Sequence, residues 1–226
     1  MTSGNFLIID FDSTFVKLET LDELAKEVLT KNPRRKEIQK EIEEITKRGM
    51  RGEISFLKSL RSRLKLFSAS QVDIEKIAQK MKENISDSFL ANKEFFKENK
   101  QQIFIVSGGF KEYILPATNE LGISEENVFA NEFVLDKQGK IIGINENNFL
   151  AKTQGKVKQV EALNLKGMVF AVGDGWTDYE IKREDEADYF LVYTENISRK
   201  NVIDLADKVV KNFGEVIKFI KIVSKD

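Results

Sequence analysis

Neither cysteine nor histidine occurs among the 226 residues of this chain. Without cysteine there is no disulfide, no thiolate nucleophile and no thiolate-held zinc or iron–sulfur cluster. Without histidine, imidazole base catalysis and every imidazole-ligated metal site are excluded. Neither sign of charge is in excess: 36 Lys and Arg stand against 37 Asp and Glu, a net charge of -1. No whole-protein field draws a polyanion, so no nucleic-acid partner is expected. No apolar run approaches the roughly 20 residues of a membrane span. The opening MTSGNFLIID has neither the basic segment nor the long apolar stretch of a signal peptide. A soluble, cytoplasmic protein without membrane partners is expected. Its reactive groups must come from Asp, Glu, Lys, Ser, Thr or Tyr, and any metal should be a hard, oxygen-seeking one.

The length suits one domain, or one domain carrying an insertion. Phe6–Asp10 is a continuous apolar run ending in an acid, as in a strand buried on both faces of a parallel sheet. Similar runs recur at Gln102–Ser107, Met168–Asp174 and Tyr189–Tyr193. Helical patterns lie between and after them, at Lys111–Leu121, Lys156–Leu163, Thr177–Glu184 and Asn212–Ile222. Strand alternating with helix predicts an α/β fold with a mostly parallel sheet. Asn131–Ile144 reads as a β-hairpin attached to that sheet, turning at Lys137–Lys140. The stretch from about Glu19 to Ser86 breaks the alternation with helix-forming sequence throughout, and is expected to be a helical insertion after the first strand. Pro33 marks a break in it, and Gly49 and Gly52 a turn.

Acids end two of the predicted strands. Asp10 and Asp12, in DFDST, fall on one side of an extended segment, where two like charges need a proton or a cation between them. Asp174 and Asp178, in GDGWTD, sit in a turn whose glycines allow close backbone approach. Carboxyl ends of strands are where ligands bind in open α/β sheets. Two strands delivering acids to one sheet edge, with oxygen ligands only, point to Mg²⁺. Ser107, Gly108 and Gly109 lie where a strand runs into a helix and offer N–H donors to an anion. Lys156 begins another helix beside Gly155, with Lys152 and Lys158 as rivals for the same role. These parts describe phosphoryl transfer, with Asp as the nucleophile that needs no activating base.

DFDST, SGG, a helix-start lysine and GDGxTD, in that order, resemble the four motifs of haloacid dehalogenase-type phosphatases. Within that superfamily the chain is most similar to the phosphoserine phosphatase family over nearly its whole length. The resemblance implies a Rossmann-like parallel-sheet core at residues 1–16 and 87–226, with a small helical cap at residues 17–86. It implies Asp10 as nucleophile and Asp12 as general acid, then base. It assigns Mg²⁺ to Asp10, the Asp12 backbone carbonyl, Asp174 and Asp178, and the phosphoryl oxygens to Ser107, Gly108, Gly109 and Lys156. In the cap, Glu19 matches the residue that faces a substrate ammonium, while Met50, Phe56 and Arg63 match the rest of the pocket. Arg61 is a rival for Arg63. A small phosphate monoester, phosphoserine, is thus the expected partner of a monomer or homodimer, with the cap hinged near Phe15–Leu18 and Ser86–Leu90. The competing expectations are a relative acting on another ester or acceptor, and a phospho-receiver module.

Overall fold

The computed structural model describes residue 1, residues 4–50 and residues 53–224. Gly52 and the Met50 side chain lie outside the described residues. Eight strands are described: β1 (Asn5–Ile9), β2 (Ile103–Phe110), β3 (Val128–Asn131), β4 (Phe133–Leu135), β5 (Ile141–Ile144), β6 (Met168–Gly173), β7 (Tyr189–Tyr193) and β8 (Lys208–Val210). Six of them form one parallel sheet in the order β3-β2-β1-β6-β7-β8. The chain works outward from β1 on one side, then returns beside β1 as β6 and works outward on the other. That reversal opens a crevice at the carboxyl ends of β1 and β6.

Both faces of this sheet are covered, which is why its strands read as unbroken apolar runs. Leu7, Ile9, Ile105, Phe170, Val172 and Leu191 point into one core. Ile8, Phe104, Val106, Val169, Ala171 and Phe190 alternate with them into a second. The expected hairpin forms as β4 against β5, but as a separate two-stranded sheet, and Asn131 closes β3 of the main sheet instead.

Four helices fill the interval between β1 and β2: α1 (Thr20–Val28), α2 (Arg35–Met50), α3 (Phe56–Leu64) and α4 (Gln71–Glu83). Gly49 lies within α2 rather than in a turn. Ala25, Leu29 and Ile42 give α1 and α2 a small core of their own. Short helices α5 (Asp87–Ala91) and α6 (Lys93–Glu98) then lead into β2. The remaining helices, α7 (Lys111–Asn119), α8 (Gly155–Leu163), α9 (Trp176–Arg183), α10 (Lys200–Ile203) and α11 (Phe213–Val223), flank the sheet. Ile74, Ile77 and Met81 of α4 share the main core with Tyr113, Ile114 and Ala117 of α7.

The chain leaves and re-enters the sheet region through one narrow ribbon. Val16 and Ile85 pair as an antiparallel bridge. Lys17 N donates to Asn84 O at 2.9 Å, and Ser86 N to Phe15 O at 2.9 Å. Phe15 and Phe89, on either side of the insertion, pack at 5.1 Å between ring centroids, and Phe89 meets Phe213 at 4.5 Å. All three rings are fully buried, worth roughly 2–3 kcal/mol each, so both ends of the insertion are anchored in the same apolar mass.

Candidate active site

The crevice gathers the sequence-predicted acids. Asp10 follows β1 directly, its N–H donating to Val172 O at 2.9 Å as if the strand continued. Residues Phe11–Phe15 form a tight helical turn in which Ser13 adopts a left-handed φ of 55°. That turn folds the chain back so that Ser13 N donates to Leu18 O at 3.1 Å, and the start of the insertion stands over the sheet edge. Asp174 follows β6, and Asp178 lies in the first turn of α9.

Carboxylate oxygens of Asp10, Asp174 and Asp178 all lie within 4.8 Å of one another. Gly173 permits this: a Cβ there would stand 2.2 Å from Asp178 Cγ. Lys156 Nζ reaches Asp10 Oδ1 at 2.6 Å and Asp178 Oδ1 at 2.7 Å. Lys152 and Lys158 are exposed, so of the three candidate lysines only Lys156 joins the acid cluster. Thr14 Oγ1 donates to Asp174 Oδ1 at 3.2 Å.

Crowding and burial govern how these groups hold protons. Burial, then the nearby Asp178 carboxylate, pushes Asp10 up to about 6 against the pull of Lys156. Burial, then Asp10, does the same to Asp174, against Arg199. Asp178 is raised by burial despite Lys156. Burial works to lower the Lys156 ammonium, but Asp10 and Asp178 outweigh it, so Lys156 stays charged. Around the crevice Asp10, Asp12, Asp174, Asp178 and Glu19 outnumber the cations Lys156 and Arg199. The excess is negative and every donor is oxygen, a set suited to a hard divalent cation.

Asp12 stands slightly apart. Thr20, the first residue of α1, donates its N–H to Asp12 Oδ1 at 2.9 Å and its hydroxyl to Oδ2 at 3.1 Å. Those bonds favour the ionised form, yet burial and the charges of Glu19 and Asp10 push Asp12 well above the usual carboxylate range. Asp12 Oδ2 faces Gly109, 3.3 Å from where a Cβ would stand. Ser107, Gly108 and Gly109 were expected at a helix N-terminus. They are instead the extended end of β2, with α7 starting at Lys111 and the ladder to β3 shifting register here. Ser107 Oγ accepts from Gly109 N at 3.0 Å, and Asn131 Nδ2 donates to Gly108 O at 2.9 Å.

Residues of the insertion complete the rim. The Phe56 ring lies 3.1 Å from a Cβ position on Gly108, so α3 is closed over the β2 terminus. Arg63 Nε is buried, and burial lowers its pKa despite the neighbouring Asp22. Arg61 is exposed and pairs with Glu146 in the turn that follows β5. Glu19 accepts from Ser13 Oγ at 2.7 Å and from Arg199 Nη2 at 3.2 Å.

Arg199 and Asn196 were not singled out by sequence reasoning. Arg199 Nε donates to Asp174 Oδ2 at 2.6 Å, bridging the acid cluster to Glu19. Asn196 Nδ2 lies within hydrogen-bond range of the carbonyls of Ser13, Thr14 and Val16 and of Ser86 Oγ, at 2.7–3.3 Å. No motif marks either residue, because only the fold brings them to β1. Trp176 is 43% exposed, packs edge-on to Tyr179 and carries the Arg183 guanidinium 5.4 Å above its ring. It covers the start of α9 from outside.

Acids on both sides of a topological reversal, with a buried lysine between them, make a site suited to phosphoryl transfer. Residues 6–181 match the model of the haloacid dehalogenase-like hydrolases, and the chain belongs to that family. It is a phosphatase of that family. It is 31% identical to the chloroplastic phosphoserine phosphatase of Arabidopsis thaliana over 212 residues, 92% of this chain and 69% of that one. A phosphoserine phosphohydrolase-like protein from Francisella tularensis superposes with a TM-score of 0.82 at 34% identity, covering 96% of this chain and 99% of the other. A phosphoserine phosphatase solved as a phospho-aspartyl intermediate analogue superposes at 0.73 with 25% identity, covering 95% and 97%.

Proposed function

We propose that this chain is a magnesium-dependent phosphomonoesterase that hydrolyses L-phosphoserine to L-serine and phosphate through an aspartyl-phosphate. The observation that carries the reading is the pairing of Lys156 Nζ with Asp10 Oδ1 at 2.6 Å inside the acid cluster. A nucleophilic carboxylate and the cation that receives phosphoryl oxygens stand in contact there. The solved relative captured as a phospho-aspartyl analogue supports the covalent step.

Asp10 attacks phosphorus, the P–O bond to serine breaks, and Asp12 gives its proton to the departing serine oxygen. The raised pKa of Asp12 suits it to that donation. Water then attacks phosphorus and gives its proton to Asp12, freeing phosphate and restoring the Asp10 carboxylate. Ser107, the Gly108 and Gly109 backbone and Lys156 hold the phosphoryl oxygens. Mg²⁺, held by Asp10, the Asp12 carbonyl, Asp174 and Asp178, would neutralise charge on the phosphoryl group.

The substrate assignment rests on opposite charges at the rim and on the relatives' activity. Glu19 faces the ammonium and Arg63 the carboxylate, while Phe56 excludes water. Residues 17–86 act as a cap over the core formed by residues 1–16 and 87–226, opening to admit substrate. A role in serine biosynthesis and a cytoplasmic location belong to the same reading. The lack of cysteine is consistent with that location.

A panel of phosphate esters, assayed with magnesium and with chelator, tests it. Phosphate release should be highest for L-phosphoserine, require the metal and vanish in Asp10→Asn. Undiminished turnover by that variant removes the covalent role. A preference for another ester, or transfer to an added amino alcohol, redirects the substrate assignment.

A further inference from the structure

Four buried side-chain polar atoms among the described residues have no hydrogen-bond partner: Arg63 Nε, Glu112 Oε2, Tyr113 Oη and Asn131 Oδ1. Buried polar groups are nearly always paired, so an orphan donor calls for an acceptor supplied from outside the chain. Two of the four are donors, and they belong to neighbouring residues beside Asp12. Arg63 and Tyr113 each feel the other's charge state and that of Asp12.

Tyr113 is fully buried in the first turn of α7, one turn beyond Gly109. Its ring is held edge-on by Phe110 at 5.9 Å and Phe133 at 6.0 Å, and those two rings stack on each other at 3.6 Å. The hydroxyl therefore cannot swing to a partner elsewhere. Glu112 does not serve it: its Oε1 accepts from Phe133 N at 2.7 Å, and its Oε2 is itself without a partner. Thr20 stands beside it and donates its own hydroxyl to Asp12 Oδ2, without meeting Tyr113 Oη in hydrogen-bond geometry. Burial, then the Asp12 charge, holds the Tyr113 phenol protonated, so it presents an O–H.

We propose that Tyr113 is a specificity-determining residue: its O–H and the Arg63 Nε–H donate together to the carboxylate of an amino-acid phosphate ester whose phosphate lies against Asp10. The proposal rests on the reading above that the substrate is L-phosphoserine. A carboxylate only accepts, and two fixed donors match its two oxygens. An ester without that group leaves both donors unpaired in a dry pocket, which is how buried polar groups reject an analogue.

Tyr113→Phe deletes the hydroxyl and keeps the ring in its aromatic packing. The comparison is L-phosphoserine against phosphoethanolamine, which has the same ammonium and phosphate but no carboxylate. The variant should lose about tenfold or more in kcat/KM for L-phosphoserine, mostly through KM, as one hydrogen bond to a charged group requires. Phosphoethanolamine turnover should stay unchanged. Calorimetry should show weaker L-serine binding with ethanolamine binding unaffected. Tyr113→Met, which also lacks the hydroxyl, gives a second reading in the same assays. Equal losses on both esters, no loss on either, or a shifted pH profile for both would overturn the proposal, the last by placing the hydroxyl on Asp12 through Thr20. Wild-type protein that releases no phosphate from L-phosphoserine would sink the substrate reading itself, a different result.

Discussion

Arg199 joins Asp174 to Glu19, with Nε 2.6 Å from one carboxylate and Nη2 3.2 Å from the other. A single guanidinium thus ties the acid cluster at the end of β6 to the first residues of the insertion. Its removal leaves a nearly buried Asp174 short of a countercharge. Arg199→Gln should lower the stability of metal-free protein by about 1–3 kcal/mol, the usual cost of an unpaired buried partner. The gain in melting temperature on adding magnesium should be larger than in wild type, because the cation replaces the lost charge. Thermal melts in chelator and in saturating magnesium measure both.

Protonation should trade against metal. Asp10 and Asp174 are both raised to about 6, by burial first and neighbouring acids second. A carboxyl raised on folding binds its proton more tightly in the native state. The resulting stabilisation is complete below the ordinary carboxylate pKa and disappears as pH climbs through about 6. Metal-free protein should therefore melt several degrees lower at about pH 7.5 than at about pH 5. Saturating magnesium should remove most of that difference. Melts across this range in chelator check it, and an opposite slope would contradict the assignment.

Thr20 offers a finer probe of Asp12. Its two hydrogen bonds stabilise the carboxylate, and Thr20→Val removes the hydroxyl while keeping the N–H. Losing a donor to the charged form raises the pKa further. If Asp12 gives the proton to the leaving group, the basic limb of the kcat profile should move to higher pH. An unmoved limb would assign the titration to another group.

Gly173→Ala places a methyl group 2.2 Å from Asp178 Cγ, on a strand that cannot retreat. The substitution should cost about 1–3 kcal/mol of stability, as overpacking does. It should also weaken magnesium binding, measured by calorimetry, by displacing Asp178. Urea denaturation gives the first quantity independently of the second.

Much of this arrangement is legible in the chain. The runs that became β1, β2, β6 and β7 are unbroken because both faces of the sheet are buried, and Asp10 and Asp174 stand where those runs stop. β3 and β8 are not legible: Val128–Asn131 merges with the hairpin pattern, and two of the three residues of β8 are exposed at the sheet edge. Ser107–Gly109 looks like a helix entry because glycines favour turns, but pairing toward β3 draws it out straight. A helix-start place beside Gly155 favours Lys156 over Lys152 and Lys158, and burial separates it from them, whereas Arg199 stands out only through tertiary position. Side chains aimed at a site from afar carry no local periodicity, so a pattern search passes over them.

The ribbon formed by Val16 and Ile85 restricts how the four-helix insertion can travel. Outgoing and incoming backbones are laced together, and Asn196 pins both to one spot, so neither can slide or part from the other. If the insertion moves as the proposed cap, the ribbon leaves bending about a single line, like a door on one pin, with α4 parting from α7 as it swings. Glu19, Phe56 and Arg63 would then leave the strand ends in concert. Occupancy at any one of them would report the posture of all three, making partial engagement of a wrong guest short-lived.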